Sequence, residues 1–471
     1  MKKYIIHIFL ISFITGYGQE ASQQRITLSE CIEIAIKNNL DVQKSEFNNA
    51  SETINHRQAK WDMFPTMNLD FTHGVNNGRS IDPFTNDVIN QELTFSNARL
   101  DLNVTVFNNF RLLNTLAQMR LNKEASEMEI VEARQNLVLQ VTLLFLQILN
   151  GQEILELAKR ELESTEKQLQ RLNKLKEQEA GDPLDYNDIM WQMKLNKISL
   201  VEAKNALNIN ISKLIELMNV DDEVNFLFED IIDATTFEKY QLTPSEVYNQ
   251  AVENQGSVQA RQLRLDAAEK GIKVARANYF PEISVFGQLN TNYSSLARIF
   301  RETGVSVEDT GAFVTVDGSD LPVFSNVPQL VPERLTFSNQ FENNLNVVVG
   351  LSVRIPIFNG FTAKNNVQLE KIKKEERSAE LTNIKNRLKQ AINQAFNNMK
   401  AAYERYNLLK EQIEYAEESF RINEVKFNAG VSNLVDYILS KNKREQNLIN
   451  LSTAKYEYLL NVKILEYYRG L

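Results

Sequence analysis

Glycine and proline are scarce in this 471-residue chain, at 16 and 9, against usual shares of about 7% and 5%. So few breakers in so long a chain dictate long helices. One cysteine, Cys31, excludes a disulfide framework, and with only three histidines (His7, His56, His73) it leaves no zinc cluster and no Cys/His dyad. No Gly-rich loop with Lys-Ser or Lys-Thr follows a strand pattern, so no nucleotide site is expected. Lys and Arg number 52 against 61 Asp and Glu, a net charge of −9; without a basic patch, nucleic acid is excluded as a partner. After residue 18 no run of about 18 uninterrupted apolar residues occurs, the best being 141–149, broken by Gln147. A bundle of membrane helices is thereby excluded. The carboxylates scatter over helix faces as solvated charge, so neither an enzyme nor a cofactor is expected.

What is present begins with an export signal. Lys2 and Lys3 precede an apolar run, 4–14, and small Gly16 and Gly18 precede polar Gln19, Glu20 and Ser22. This pattern predicts a signal peptide over 1–18. Cys31 lies well past its end, inside a helical pattern over 28–37, where it serves packing rather than lipid anchorage.

Three signatures then occur twice in one order, which marks an internal repeat. Phe64-Pro65 returns as Phe280-Pro281, Phe107-Asn108-Asn109-Phe110 returns as Phe358-Asn359-Gly360-Phe361, and Ala180-Gly181 returns as Ala429-Gly430. The last two pairs are separated by nearly the same length of chain and the first pair by less, so the second copy carries its insertion between the first two signatures. The expected division is 19–240 and 241–471.

From Phe361 to Ala429 there is no Gly or Pro across 69 residues, about 100 Å as a helix. Its apolar stripe is Ile384, Leu388, Ala391, Ala395, Met399, Ala402, Tyr406, Leu409, Ile413, Ala416 and Phe420. From Met399 on, the steps alternate 3 and 4, the period of a left-handed coiled coil. The first copy matches in length over 111–179 but contains Gly151, read as a tolerated weak point. Helical pattern resumes at Leu184 and Leu434, so Gly181 and Gly430 mark the tips of antiparallel hairpins over 110–219 and 361–469.

Between the Phe-Pro and Phe-Asn signatures the period is two. Strands are expected near 66–74, 98–107, 282–292 and 343–357, each with one apolar face (Met67, Leu69, Phe71; Leu100, Leu102, Val104; Ile283, Val285, Leu289; Val347, Val349, Leu351) and one polar face. A sandwich edge would alternate too, but four strands interrupted by long helices leave no second sheet. Lipid on the apolar face and water on the other is the pattern of a transmembrane barrel. Backbone groups in a bilayer must all be paired, so four strands must close with copies of themselves. Two copies would give a plugged eight-stranded barrel; three begin to leave a lumen. The segments 75–97 and 293–344, rich in Gly, Asp, Asn and Ser, are expected as exterior loops.

The order of these features resembles the TolC-like outer-membrane efflux protein family over essentially the whole mature chain. The resemblance implies a mainly α fold with a small β part: duplicated coiled-coil hairpins plus four transmembrane strands per chain, closing as a homotrimer into a 12-stranded β-barrel in outer-membrane lipid, continued by an α-helical barrel across the periplasm. It implies a passive exit duct for small toxic compounds, docked to a periplasmic adaptor and an inner-membrane pump. The exit channel of a type I protein secretion system is the alternative; from another class, a periplasmic coiled-coil adaptor or scaffold would share the hairpins but lack the four alternating runs.

In that family an acidic residue six positions after the second hairpin Gly narrows and charges the periplasmic entrance, and Asp436 stands there. Three copies would ring the entrance with carboxylate and favour cations; the other reading is a solvated charge at a helix N-terminus. Three positions later stands Leu439 rather than an acid, two after Gly430 stands Ser432 rather than a base, and Phe427 replaces a hydroxylated aromatic. Six after Gly181 comes Asn187, between Asp185 and Asp188. Ala180, Gly181, Ala429 and Gly430 are expected either to meet the adaptor or to serve turn chemistry alone. Pro65, Phe107, Pro281, Phe358 and Gly360 mark the strand-helix junctions, and Trp61 and Tyr279 stand either in a membrane-interface belt or in junction packing.

Overall fold

A computed structural model describes residues 24–82, 85–178, 183–221, 226–229, 237 and 239–470. The export signal and the first hairpin tip, Ala180 and Gly181, lie outside the described residues. The first half runs β1 (Gln24–Ile26), α1 (Leu28–Asn38), α2 (Leu40–Trp61), β2 (Thr66–Asn76), β3 (Arg79–Ile81), β4 (Val88–Asn90), β5 (Leu93–Phe107), α3 (Arg111–Glu177) and α4 (Pro183–Met218). Then follow β6 (Phe226–Phe228), α5 (Pro244–Asn254), α6 (Gly256–Ala277), β7 (Glu282–Ser294), β8 (Arg298–Val316), β9 (Ser319–Arg334), α7 (Phe337–Asn343), β10 (Asn346–Arg354), α8 (Thr362–Asn428) and α9 (Leu434–Arg469). Two compact units result, and each takes segments from both halves of the sequence: one comprises the described residues of 1–53, 121–266 and 375–471, the other 54–120 and 267–374.

In the first unit the helices begin where side chains satisfy their free N–H groups. Thr27 and Glu30 form a capping box for α1, and Thr243 and Glu246 do the same for α5, in the same register as the two Phe-Pro signatures. Cores form along the helix stripes. One gathers Cys31, Ala35, Leu137, Val141, Phe145, Ile148, Leu214 and Met218 with Ile26 and Phe228 of the parallel pair β1–β6. Burial pushes the Cys31 thiol up to about 12, which leaves it inert. Among the described residues α3 alone is long and apolar enough to cross a membrane; its apolar residues around Phe145 pack into this core instead. A second cluster buries Leu388, Ile392, Ala395, Met399 and Ala402 of α8 against Val247, Ala251 and Leu465. The expected stripe is thus the packed face of α8. At Gly151 a Cβ would stand 3.2 Å from Leu207 Cδ1 of α4, so a larger residue there would need that side chain to give by a few tenths of an ångström.

The second unit holds an antiparallel sheet in the order β10-β7-β5-β2. Register aligns whole rows across it. Leu69 faces Leu100, Leu100 faces Leu289, and Leu289 faces Val347. The alternate row is polar: Asn68 pairs with Asp101 and Asp101 with Gln288, whose amide donates to Asp101 at 2.8 Å. Leu69, Val349 and Leu351 are 71%, 74% and 63% exposed, a continuous apolar face that water would penalise. β10 is shorter than expected, since residue 343 still belongs to α7 and Pro356 cannot donate to a ladder. β5 is longer, starting at Leu93.

The expected exterior loops are largely strand. β3 pairs with β4 inside the first, and the second forms a long hairpin of β8 with β9 followed by α7. Pro322, Pro328 and Pro332 look like breakers in sequence, yet they lie opposite Phe313, Val305 and Phe300. Even spacing aims every missing N–H toward the same free edge of β9, where proline is tolerated.

Candidate functional site

Each strand-helix junction is built twice with one geometry. Phe64 N–H donates to the Trp61 carbonyl at 2.9 Å and Phe280 N–H to that of Ala277 at 3.0 Å, ending α2 and α6 before Pro65 and Pro281. At the other junction Asn109 and Phe110 have φ of 50° and 61°, and Gly360 and Phe361 have 62° and 62°. Two successive left-handed residues reverse the chain from strand to helix, a conformation rare for bulky side chains. Phe107 meets Phe110 edge-on at 5.9 Å, and Phe358 meets Phe361 edge-on at 5.6 Å. The aromatic contact offsets the backbone cost at both places. Arg111, the first residue of α3, pairs with Glu282 of β7 at 2.8 Å. Trp61 and Tyr279 are both exposed.

The second hairpin tip closes α8 with a Schellman motif. Gly430 has φ 71°, its N–H donates to the Phe427 carbonyl at 3.1 Å, and Val431 N–H donates to that of Lys426 at 2.9 Å. Asn433 then caps α9, accepting from Asp436 N–H at 2.8 Å. Asp436 therefore occupies the first turn of α9, where the helix dipole favours an anion; it is exposed, with Ser432 Oγ at 3.5 Å and exposed Val435 and Leu439 beside it. Asp185, Asn187 and Asp188 occupy the first turns of α4, with Asn187 exposed and Asp185 and Asp188 half-buried. Each acidic set thus stays with its own helix start.

Sequence reasoning missed what joins the hairpins near their tips. Leu172, Ile189, Leu434 and Tyr437 form a small core, and Tyr437 stacks on Phe427 at 5.0 Å. Burial pushes the Tyr437 hydroxyl up to about 12. Phe427, the departure from the family's hydroxylated aromatic, is thus part of a packed stack, with Arg171 over its ring at 5.7 Å and bonded to Asn428. One turn further along α9 from Tyr437 lies Lys441, buried and ion-paired. Tyr437 and Lys441 stand four apart, one helix face, and that spacing was the available signal.

A sheet with an exposed apolar face, joined through left-handed aromatic turns to helices of 67 residues, defines the class of membrane channel that carries its own helical extension. The profile of the outer membrane efflux protein family matches residues 31–220 and 247–470, and the chain belongs to that family. It is an outer-membrane efflux protein. No curated protein matches this chain. Its fold is similar to that of CusC, with TM-score 0.76, 13% identity, and 94% of this chain and 92% of that one covered. The outer membrane protein VceC of Vibrio cholerae gives 0.72 at 12% identity, covering 94% and 96%, and the outer membrane channel CmeC of Campylobacter jejuni gives 0.71 at 15%, covering 94% and 85%. The family and the four-stranded sheet together set aside the periplasmic adaptor or scaffold.

Proposed function

We propose that three copies of this chain close their sheets into one 12-stranded barrel in the outer membrane, and that the barrel with its helices forms the passive exit duct of a tripartite efflux system. One observation carries this: among the described residues the outer edges of β2 and β10 have no partner strand, while the apolar face of the same sheet is exposed. In lipid an unpaired edge is untenable, so β10 of one copy meets β2 of the next, and three sheets leave a polar lumen lined by Asn68, Asp101 and Gln288. The β8–β9 hairpin then faces the exterior and the Gly430 tip faces the periplasm. Trp61, four residues before Pro65, and Tyr279, two before Pro281, are exposed and join the aromatic belt.

The partners follow from the same architecture. A periplasmic adaptor contacts the tips at Ala180, Gly181, Ala429 and Gly430, where small residues admit a close neighbour, and an inner-membrane pump supplies the energy. The cargo is small toxic compounds. Three Asp436 carboxylates, with Asp185, Asn187 and Asp188 of the other hairpin, set the charge of the entrance.

Deleting the gene and challenging cells with a panel of dyes, detergents and metal salts tests this. Hypersensitivity to some of them, restored by the intact gene, is expected. Unchanged tolerance together with loss of a secreted polypeptide from the medium would move the chain to protein secretion.

A further inference from the structure

A little beyond Asp436 on α9, the Lys441 side chain is only 3% exposed. A buried ammonium persists only with a partner, and here the partners come from the other hairpin. Its Nζ lies 2.9 Å from Glu161 Oε1 and donates to Thr165 Oγ1 at 2.8 Å, both on α3. Helix α4 closes the third side: Asn196 Nδ2 donates to Glu161 Oε1 at 3.2 Å and to Thr165 Oγ1 at 2.8 Å, and Gln192 Nε2 donates to Asn196 Oδ1 at 2.9 Å. Asn442 donates back from α9 to Gln192 Oε1 at 3.4 Å. One polar node thus ties α3, α4 and α9.

The node is built from matching places in the two copies. The offset that relates Gly181 to Gly430 also relates Gln192 to Lys441 and Asn196 to Glu445. Two amides stand on one return helix where the other carries a cation and an acid. The charged groups near Lys441 include, besides Glu161 of α3, Arg444 and Glu445 on α9, which approach each other to 3.3 Å. Arg444 also lies over Phe420 of α8 at 5.0 Å, and Glu424 of α8 acts on neighbouring Tyr437. Glu445 is held above its ordinary range, first by burial and then by the charge of Glu161.

Beside this node, Leu172, Ile189, Leu434 and Tyr437 meet through apolar and aromatic contact. Apolar contact is non-directional and tolerates sliding; hydrogen bonds to a buried ion do not. A slip of one helical turn, about 5.4 Å, would strand Lys441 or Glu161 without a partner.

We propose that Lys441 is the positioning residue of the entrance: pairing with Glu161 and Thr165 fixes the register of the start of α9 against α3 and α4, and with it the place where Asp436 stands. This rests on the duct reading for the entrance, though the register itself does not.

The test separates stability from position. Lys441→Met or Glu161→Gln alone strands a buried charge and should lower the unfolding temperature. The double variant Lys441→Met with Glu161→Gln removes both charges at similar volume, an exchange that is often neutral for stability. It should unfold near the wild-type temperature, yet exchange amide hydrogens over 434–445 roughly tenfold faster and conduct more in planar bilayers with weaker cation preference. A double variant with wild-type stability, exchange and conductance overturns the proposal. Should it fail to assemble, Thr165→Val removes one acceptor without stranding a charge, and the same shifts, smaller, are expected; their absence overturns it equally. If the wild type itself does not conduct, the duct reading fails and hydrogen exchange alone decides the register.

Discussion

Leu40 and Gly256 occupy the same place in the two halves of the chain, in the register of Pro65 and Pro281, and each comes first in a helix. The helix before each has a capping box, and each of those helices ends at an extended residue, Asn39 or Gln255, whose N–H returns to the carbonyl of Ala35 or Ala251. Beyond that identity the two places part. Leu40 is 64% exposed, whereas a Cβ on Gly256 would stand 2.7 Å from the Met128 carbonyl oxygen and 2.8 Å from the Glu132 nitrogen of α3. Local sequence therefore sets the same bend twice, and tertiary surroundings decide which copy tolerates a side chain.

The largest expected effect breaks that symmetry directly. Gly256→Ala drives a methyl group into backbone and should cost about 1–3 kcal/mol, while Leu40→Ala should stay within about 0.5 kcal/mol. Thermal unfolding of the two variants compares them, and equal losses would contradict the close packing of α6 on α3. The left-handed junctions sharpen the comparison next. Asn109 stands where Gly360 stands in the other copy, both at positive φ. Gly360→Val should cost about 1–2 kcal/mol, and Gly360→Asn much less, because Asn enters that region readily. A Val variant as stable as the Asn variant would mean that the chain turns differently there.

At the second tip, Asn433→Ala removes the α9 cap and should lower stability by about 1 kcal/mol, read by hydrogen exchange over the first turn of α9.

A smaller effect comes from pH. Glu445 is pushed up to about 7 by burial and by Glu161, above its ordinary 4.5. The folded chain therefore holds that proton more tightly than the unfolded chain does, so its contribution is complete below about 4.5 and is lost as pH rises through 7. Unfolding temperature should fall between pH 5 and pH 8, and Glu445→Gln, which makes the position resemble Asn196, should flatten that slope. A slope unchanged in the variant assigns the titration elsewhere. The smallest change is Asp436→Asn, which gives the second hairpin the amide that Asn187 already places in the first; cation preference in a planar bilayer should weaken, and unaltered selectivity would retire Asp436 from the entrance.

Much of this architecture is legible in the sequence because it is written in local patterns. Period two gives the strands with Leu69, Leu100, Leu289 and Val347, the lack of breakers gives α8, and Gly430 gives the turn. The capping boxes Thr27-x-x-Glu30 and Thr243-x-x-Glu246 were equally legible and extend the register of the Phe-Pro signatures back to the start of the repeat. The β8–β9 hairpin was hidden because 293–344 is rich in Gly, Asp, Asn and Ser, residues that local pattern assigns to loops, and only its pairing partner across the turn makes it strand. Gly151 and Lys441 depend on partners far along the chain, Leu207 and Glu161, and no window on the sequence contains both ends of such a contact. The tip residues Ala180 and Gly181 were legible only as the counterpart of Ala429 and Gly430.

The central claim is that this sheet closes with copies of itself in lipid. Outer membranes should be extracted in detergent, the mass of the purified complex determined, and its conductance recorded in a planar bilayer. A trimer of the chain, which weighs 54.2 kDa before its expected signal peptide is removed, that conducts ions is the predicted result; a water-soluble monomer without conductance would contradict it.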